Sequence, residues 1–239
     1  VNLSSGGMRT IYDPNARFKS IRLGQVTPLF WRDPSGVEGF GHLIKPVGYQ
    51  PGRRYPLIIV QYRSRGFLRG GTGDEYPIQI FASKGFAVLS FHKPDDWDLF
   101  ARASAMQDIP RGAWENLRAR KRIHSVLTAG IDHLVDMGIA DPNRIGITGL
   151  SDGALTATYA LIHSPHMFAA GAIDWSFWNP ITYSLGGPKY EDRLRDWGFS
   201  YPNGERQSNW AAMSLALNAD SINAPLLMQV ADRELLPET

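Results

Sequence analysis

The chain has 239 residues, of which 43% are hydrophobic and 20% charged, and its formal net charge is +2. This length supports one sizeable domain with a full core, and so small a charge predicts no nucleic-acid partner. No apolar run approaches the ~20 residues of a membrane span, so we expect no membrane partner. Cysteine is absent, which excludes disulfides and thiolate chemistry and fits a cytoplasmic or a periplasmic protein.

The N-terminal part of the chain is predicted to form turns and a β-hairpin. Residues 1–23 contain short strand fragments separated by turn-forming residues. Residues 21–46 alternate between apolar and polar positions, and the sequence DPSG at 33–36 supplies the turn.

Five apolar runs of strand length follow, separated by helical segments. The predicted strands are 55–62 (YPLIIVQY), 85–91 (GFAVLSF), 144–149 (RIGITG), 168–174 (FAAGAID) and 225–230 (PLLMQV). The predicted helices are 76–84, 114–137, 153–164 and 211–217. Apolar strands that alternate with amphipathic helices predict a doubly wound α/β domain with a mostly parallel sheet, from about residue 24 onward.

The predicted helix 114–137 opens with a basic run, RARKR at 118–122. We interpret this run as a solvated helix face, and a phosphate-binding or domain-docking face is the alternative. None of the six histidines has zinc-like spacing, so no metal or other cofactor is implied. Only His92, at the end of a predicted strand, is expected near a substrate.

The sequence GLSDG at 149–153 lies between a predicted buried strand and a predicted helix. This is the context of a nucleophile elbow, in which Ser151 takes a strained conformation that exposes its Oγ. Gly149 and Gly153 are explained by a close approach of strand and helix, where Cβ atoms would clash. The helix N-terminus would offer N–H groups to an oxyanion. A nucleotide-binding turn is the alternative, but the glycines lack the G-x-G-x-x-G spacing.

Two carboxylates follow the last predicted strand, Asp232 and Glu234. In α/β-hydrolases the catalytic acid follows the serine and comes after a later strand. One of the two is therefore expected to orient a histidine, and these residues alone do not decide which.

Three stretches carry a resemblance to a known family: YPLIIVQYRSRGFLRGGTGDEYPIQIFASKGFAVLSF, NRIGITGLSDGALTATYA and APLLMQVADRELLPE. They resemble the catalytic domain of the prolyl oligopeptidase family of serine peptidases and, within it, the lasso peptide isopeptidases. The resemblance implies an α/β-hydrolase fold with Ser151 as nucleophile. It implies an oxyanion hole made by the Tyr62 hydroxyl and the Asp152 backbone N–H. It favours Glu234 as the acid, with Asp232 in reserve.

The same resemblance implies that parts of the family pattern lie outside this chain. Residues 1–23 would be the linker or tail of an N-terminal β-propeller, and residues 24–239 a catalytic domain truncated at its C-terminus. The catalytic histidine would follow the next strand, beyond residue 239. This chain alone is therefore expected to be inactive.

The implied substrate is a threaded lasso peptide, whose isopeptide bond would be hydrolysed to give a linear peptide. Arg63 and Arg65 directly follow the predicted strand 55–62, which ends with Tyr62, and there they can bind carbonyls or a carboxylate. Trp175 and Trp178, in an aromatic segment at 174–202, are candidates for a peptide pocket. The alternatives are a prolyl-oligopeptidase-like enzyme that cuts α-peptide bonds, a catalytically inactive binding domain and, more distantly, a nucleotide-binding module.

Overall fold

A computed structural model of the chain describes residues 6–7, 12–13, 16–62, 76–95, 115–174, 187–196, 199 and 207–229. Its strands are β1 (Val26–Arg32), β2 (Glu38–Ile44), β3 (Tyr55–Tyr62), β4 (Ala87–His92), β5 (Ala140–Leu150), β6 (Ala170–Asp174) and β7 (Leu226–Gln229). Its α-helices are α1 (Ile78–Ser83), α2 (Arg118–Asp136), α3 (Asp152–His163), α4 (Gly187–Asp196) and α5 (Gln207–Met213). Short 3-10 helices cover Ala16–Ser20, Glu115–Leu117 and Ala216–Asn218.

The described strands form one mixed sheet in the order β1-β2-β4-β3-β5-β6-β7. β3 to β7 pair in parallel, whereas β1, β2 and β4 pair antiparallel. The parallel part confirms the predicted α/β domain, because each parallel strand returns through a helical connection. The carboxyl ends of β3, β4 and β5 therefore lie along one edge of the sheet.

The predicted hairpin is β1 and β2, and its turn is held by one carboxylate. Oδ1 of Asp33 accepts hydrogen bonds from the backbone N–H groups of Ser35 and Val37, at 2.9 and 2.8 Å. Oδ2 of Asp33 accepts a bond of 2.7 Å from the Ser125 hydroxyl on α2. The turn is thereby fixed to the helix that packs beneath it.

Helices cover both faces of the sheet, as the alternating pattern predicts. One core cluster joins α2 and α3 to the strands, and its side chains include Leu57, Ile59, Leu127 and Leu161. A smaller cluster on the opposite face joins α1 to the sheet. Successive residues of β3 contribute to opposite faces because side chains alternate along a strand.

A third cluster packs α3 against the later helices, through Leu155, Tyr159, Leu194 and Trp210 among others. Helix α4 was not among the predicted helices, since the sequence around it is rich in turn-forming residues. Among helices in the described part of the chain, none is both long and apolar enough to cross a membrane.

Candidate active site

Ser151 lies between β5 and α3 and has a strained backbone conformation. Its backbone has φ 54° and ψ −119°, a conformation that non-glycine residues rarely adopt. The Ser151 N–H donates to the Asp174 carbonyl at 3.2 Å, and the Ser151 carbonyl accepts from Leu155 N–H at 3.1 Å. The strand-to-helix turn expected of a nucleophile elbow is therefore present at this serine.

The two glycines of the motif are required by close backbone approach. A Cβ on Gly149 would overlap the carbonyl group of Gly153. A Cβ on Gly153 would lie 2.7 Å from the Gln61 carbonyl oxygen. The close backbone approach that was predicted from the sequence is therefore present at both glycines.

The contact between Gly153 and Gln61 also brings the end of β3 to the serine turn. Gln61 pairs with Gly149 of β5 in the sheet, and Tyr62 is the next and last residue of β3. On its other side, Tyr62 pairs with His92 at the end of β4. The backbone of Tyr62 is therefore beside the elbow, while its side chain lies outside what the structure describes.

Asp152, the first residue of α3, is held by cations from two other elements. Lys93 Nζ, just after β4, donates to Asp152 Oδ2 at 2.9 Å. The Arg120 guanidinium on α2 contacts the other carboxylate oxygen, Oδ1. Burial opposes ionisation of this carboxyl, but Arg120 and Lys93 outweigh it and hold the pKa of Asp152 below its ordinary value.

Arg120 binds more than the carboxylate. Its Nη1 donates to the Thr156 hydroxyl at 2.6 Å and to the Asp152 backbone carbonyl at 3.2 Å. The Thr156 hydroxyl donates in turn to the same carbonyl at 3.1 Å. One guanidinium therefore connects the side chain and the backbone of the first turn of α3.

This position corrects the interpretation of the basic run 118–122 as a solvated face. The side chain of Arg120 is only 5% exposed, whereas Arg118 and Lys121 are exposed. The signal was present in the sequence, because position 120 shares the helical stripe that carries Ile123 and Leu127. A cation on that stripe requires a buried partner, and Asp152 is that partner.

An open groove of about 760 Å³ runs from the end of β4 to the tip of the hairpin. His92, Lys93 and Phe40 are among its lining residues, and the Phe40 and His92 rings lie 5.9 Å apart. His92 thus lies at the carboxyl end of β4, and its expected proximity to a substrate stays a prediction.

The remaining candidates fall outside the described residues. They are the acids Asp232 and Glu234 and the proposed substrate contacts Arg63, Arg65, Trp175 and Trp178. Their roles stay predictions. Within the described part of the chain, no group of three or more histidine or acidic side chains is arranged to hold a metal ion.

Comparison with known proteins places this geometry in a family. Residues 118–234, which contain the serine turn, match the sequence profile of the prolyl oligopeptidase family, Peptidase_S9. Residues 118–234 therefore carry the domain of this family. The expected resemblance is confirmed, and so is the α/β-hydrolase fold class.

Two curated proteins align with most of the chain. The lasso peptide isopeptidase AtxE2 of Asticcacaulis excentricus is 43% identical over 237 residues, covering 99% of this chain and 34% of AtxE2. A probable chloroplastic glutamyl endopeptidase of Oryza sativa is 27% identical, covering 81% of this chain and 20% of that protein. The chain therefore spans about a third or less of the length of these relatives.

Solved structures share the fold of this chain. AtxE2 isopeptidase without ligand superimposes with a TM-score of 0.84 at 41% identity, covering 99% of this chain and 36% of that one. An AtxE2 variant with Astexin3-dC4 bound gives 0.83 at 41% identity, covering 95% and 35%. Pyrococcus horikoshii acylaminoacyl peptidase gives 0.66 at 22% identity, covering 92% and 34%, which shows the shared fold alone.

Proposed function

We propose that the whole protein is a serine isopeptidase that hydrolyses the isopeptide bond of threaded lasso peptides. The observation that carries this proposal is the conformation of Ser151, at φ 54° between β5 and α3. That conformation presents a hydroxyl at the carboxyl edge of the sheet, directly before a helix N-terminus. The substrate class is supported by the 43% identity to the lasso peptide isopeptidase AtxE2.

The proposed chemistry is acyl transfer to water in two steps. Ser151 Oγ attacks the isopeptide carbonyl, and a histidine, expected C-terminal to Glu234, accepts the serine proton. The C–N bond then breaks, and the proton passes to the departing amine. Water attacks the resulting ester, which releases a free carboxylate and regenerates the serine.

The chain's own groups have defined tasks in these steps. Asp152 is the first residue of α3, and the first N–H groups of a helix have no acceptor within it. The Asp152 N–H can therefore bind the oxyanion, together with the Tyr62 hydroxyl, each donor contributing about 2–4 kcal/mol. Glu234 would orient the histidine and stabilise its cation.

The test compares three peptides of one sequence: the threaded lasso form, the unthreaded ring isomer and the linear form. We expect the whole protein to add one water to the threaded peptide and to free the N-terminal amine. Product masses and amine labelling measure this. Ser151→Ala should abolish the reaction and the labelling of the protein by a fluorophosphonate.

A matched control is Ser83→Ala, at an exposed serine that ends α1. It should retain full activity and labelling. Cleavage of only the linear peptide would move the activity to α-peptide bonds. Absence of any Ser151-dependent labelling would overturn every serine hydrolase assignment and favour a binding domain.

A further inference from the structure

The serine turn is tied to a second strained segment at the start of α2. Among the described residues, positive φ outside glycine occurs at Asn116, Leu117 and Ser151. Asn116 and Leu117 come directly before α2, and Leu117 is buried in the cluster that packs on α3. Arg120 lies one turn further on and contacts Asp152, the neighbour of Ser151. Strain of this kind persists only where surrounding contacts over-determine it.

The Arg120 guanidinium has the geometry needed to fix the first turn of α3. A guanidinium is a rigid planar fork, so its bonds to the Asp152 carboxylate, the Asp152 carbonyl and Thr156 restrain their relative positions. Lys93 holds the remaining carboxylate oxygen from the side of β4. The peptide unit between Ser151 and Asp152 is thus restrained through its C-terminal neighbour.

We propose that Arg120 is a positioning residue for the reaction at Ser151, acting through Asp152. It fixes the direction of the Asp152 N–H toward the oxyanion and holds Ser151 in its strained conformation. This inference rests on the proposed hydrolase function. It assigns to the basic run a task that neither the motif nor the family comparison supplies.

Stability alone is a weak explanation for this ion pair. Placing two charges where solvent is largely excluded costs desolvation energy, and apolar replacements of buried pairs are often neutral or stabilising. The guanidinium is also bonded at the one turn where a shift of about 1 Å would change the rate by roughly 10²-fold.

The kinetic test uses Arg120→Gln and Asp152→Asn in the whole protein. Asparagine keeps the backbone N–H but removes the charge that Arg120 holds. Each variant should lower kcat by roughly ten- to 10²-fold, with KM changed by less than about threefold, because the loss occurs in the transition state. Lys121→Gln removes an exposed charge from the same helix and should leave both constants unchanged.

The double variant, Arg120→Gln with Asp152→Asn, tests whether Arg120 acts through Asp152 or independently of it. If Arg120 acts through Asp152, the combined loss in kcat should be no larger than the larger single loss. Losses that multiply would overturn the proposal. A change in KM alone would also overturn it, since it would indicate substrate binding by Arg120.

A measurement without turnover separates this proposal from the hydrolase assignment. Hydrogen exchange of the peptide covering 150–156 should accelerate roughly tenfold or more in Arg120→Gln, while exchange at the far end of α3 is unchanged. If wild-type Ser151 proves unreactive but exchange accelerates locally, Arg120 restrains the turn as inferred, and it is the hydrolase function that fails. Unchanged exchange at 150–156 would refute the positioning role whatever the activity.

Discussion

Adding a single methyl group at Gly153 tests how the serine turn is held against β3. Gly153 is in the first turn of α3, where alanine would ordinarily be favoured over glycine by up to about 1 kcal/mol. Its Cβ, however, would lie 2.7 Å from the Gln61 carbonyl oxygen and 3.3 Å from the carbonyl carbon. Overpacking against backbone costs roughly 1–3 kcal/mol, so the clash outweighs the propensity.

We expect Gly153→Ala to lower the free energy of opening of α3 by up to about 2 kcal/mol, the difference between these two opposing effects. The matched variant is Gly146→Ala, in the adjoining strand β5. A Cβ there would meet nothing closer than the Ala170 carbonyl oxygen at 3.7 Å. Relief of glycine's entropy cost should make this variant neutral or slightly more stable.

Native-state hydrogen exchange of the whole protein measures both effects, because it reports the opening of α3 and β3 separately from other regions. Fluorophosphonate labelling of Ser151 should slow in Gly153→Ala and stay unchanged in Gly146→Ala. Equal stability of the two variants would refute the reasoning, since it would show that β3 moves aside without cost.

Three further predictions concern the surroundings of the site. Burial, and then the charge of His163, lowers the pKa of His124 to about 4 from 6.5, so the unfolded chain binds this proton more readily than the folded one. Stability should therefore fall as the pH drops below 6.5 and level off near 4, by on the order of 3 kcal/mol, and His124→Gln should flatten this part of the urea-unfolding profile. Asp33→Ala should cost on the order of 2 kcal/mol in urea unfolding, because two turn N–H groups lose a charged acceptor, and an unchanged midpoint would contradict this account. Gly130→Ala should lower the melting temperature, because its Cβ would lie 2.6 Å from the Trp31 ring, which is hydrogen-bonded to the Val126 carbonyl. Combining Gly130→Ala with Trp31→Ala should relieve this clash.

The sheet and its helices were largely predictable from local pattern. The run at 55–62 is apolar because β3 is covered on both faces, and its bounds match the predicted strand. Strand β5 begins earlier than predicted, at Ala140, because Tyr55 pairs with Ala140 before a shift in register. That pairing depends on a partner strand far away in sequence and leaves no local signature.

The candidate site was predictable where a backbone constraint dictates residue type. Gly149 and Gly153, which flank Ser151, could be predicted because a Cβ at either position would clash with nearby backbone atoms. Arg120 and Lys93 were missed as partners of Asp152 because surface cations and buried ones look alike in sequence. Only the three-dimensional arrangement brings α2 and the end of β4 to the same carboxylate.

The serine turn has a consequence for the order in which the protein is made. Lys93 and Arg120 precede Asp152 by 59 and 32 residues, and Gln61, whose carbonyl lies close to Gly153, is earlier still. During synthesis from the N-terminus, these anchors leave the ribosome before the segment that they hold. The serine turn can therefore form against an existing support, whereas its bond to Asp174 must await later sequence. A nascent chain that lacks this support would carry the serine without its strained geometry, so appearance of fluorophosphonate reactivity would report the completion of folding.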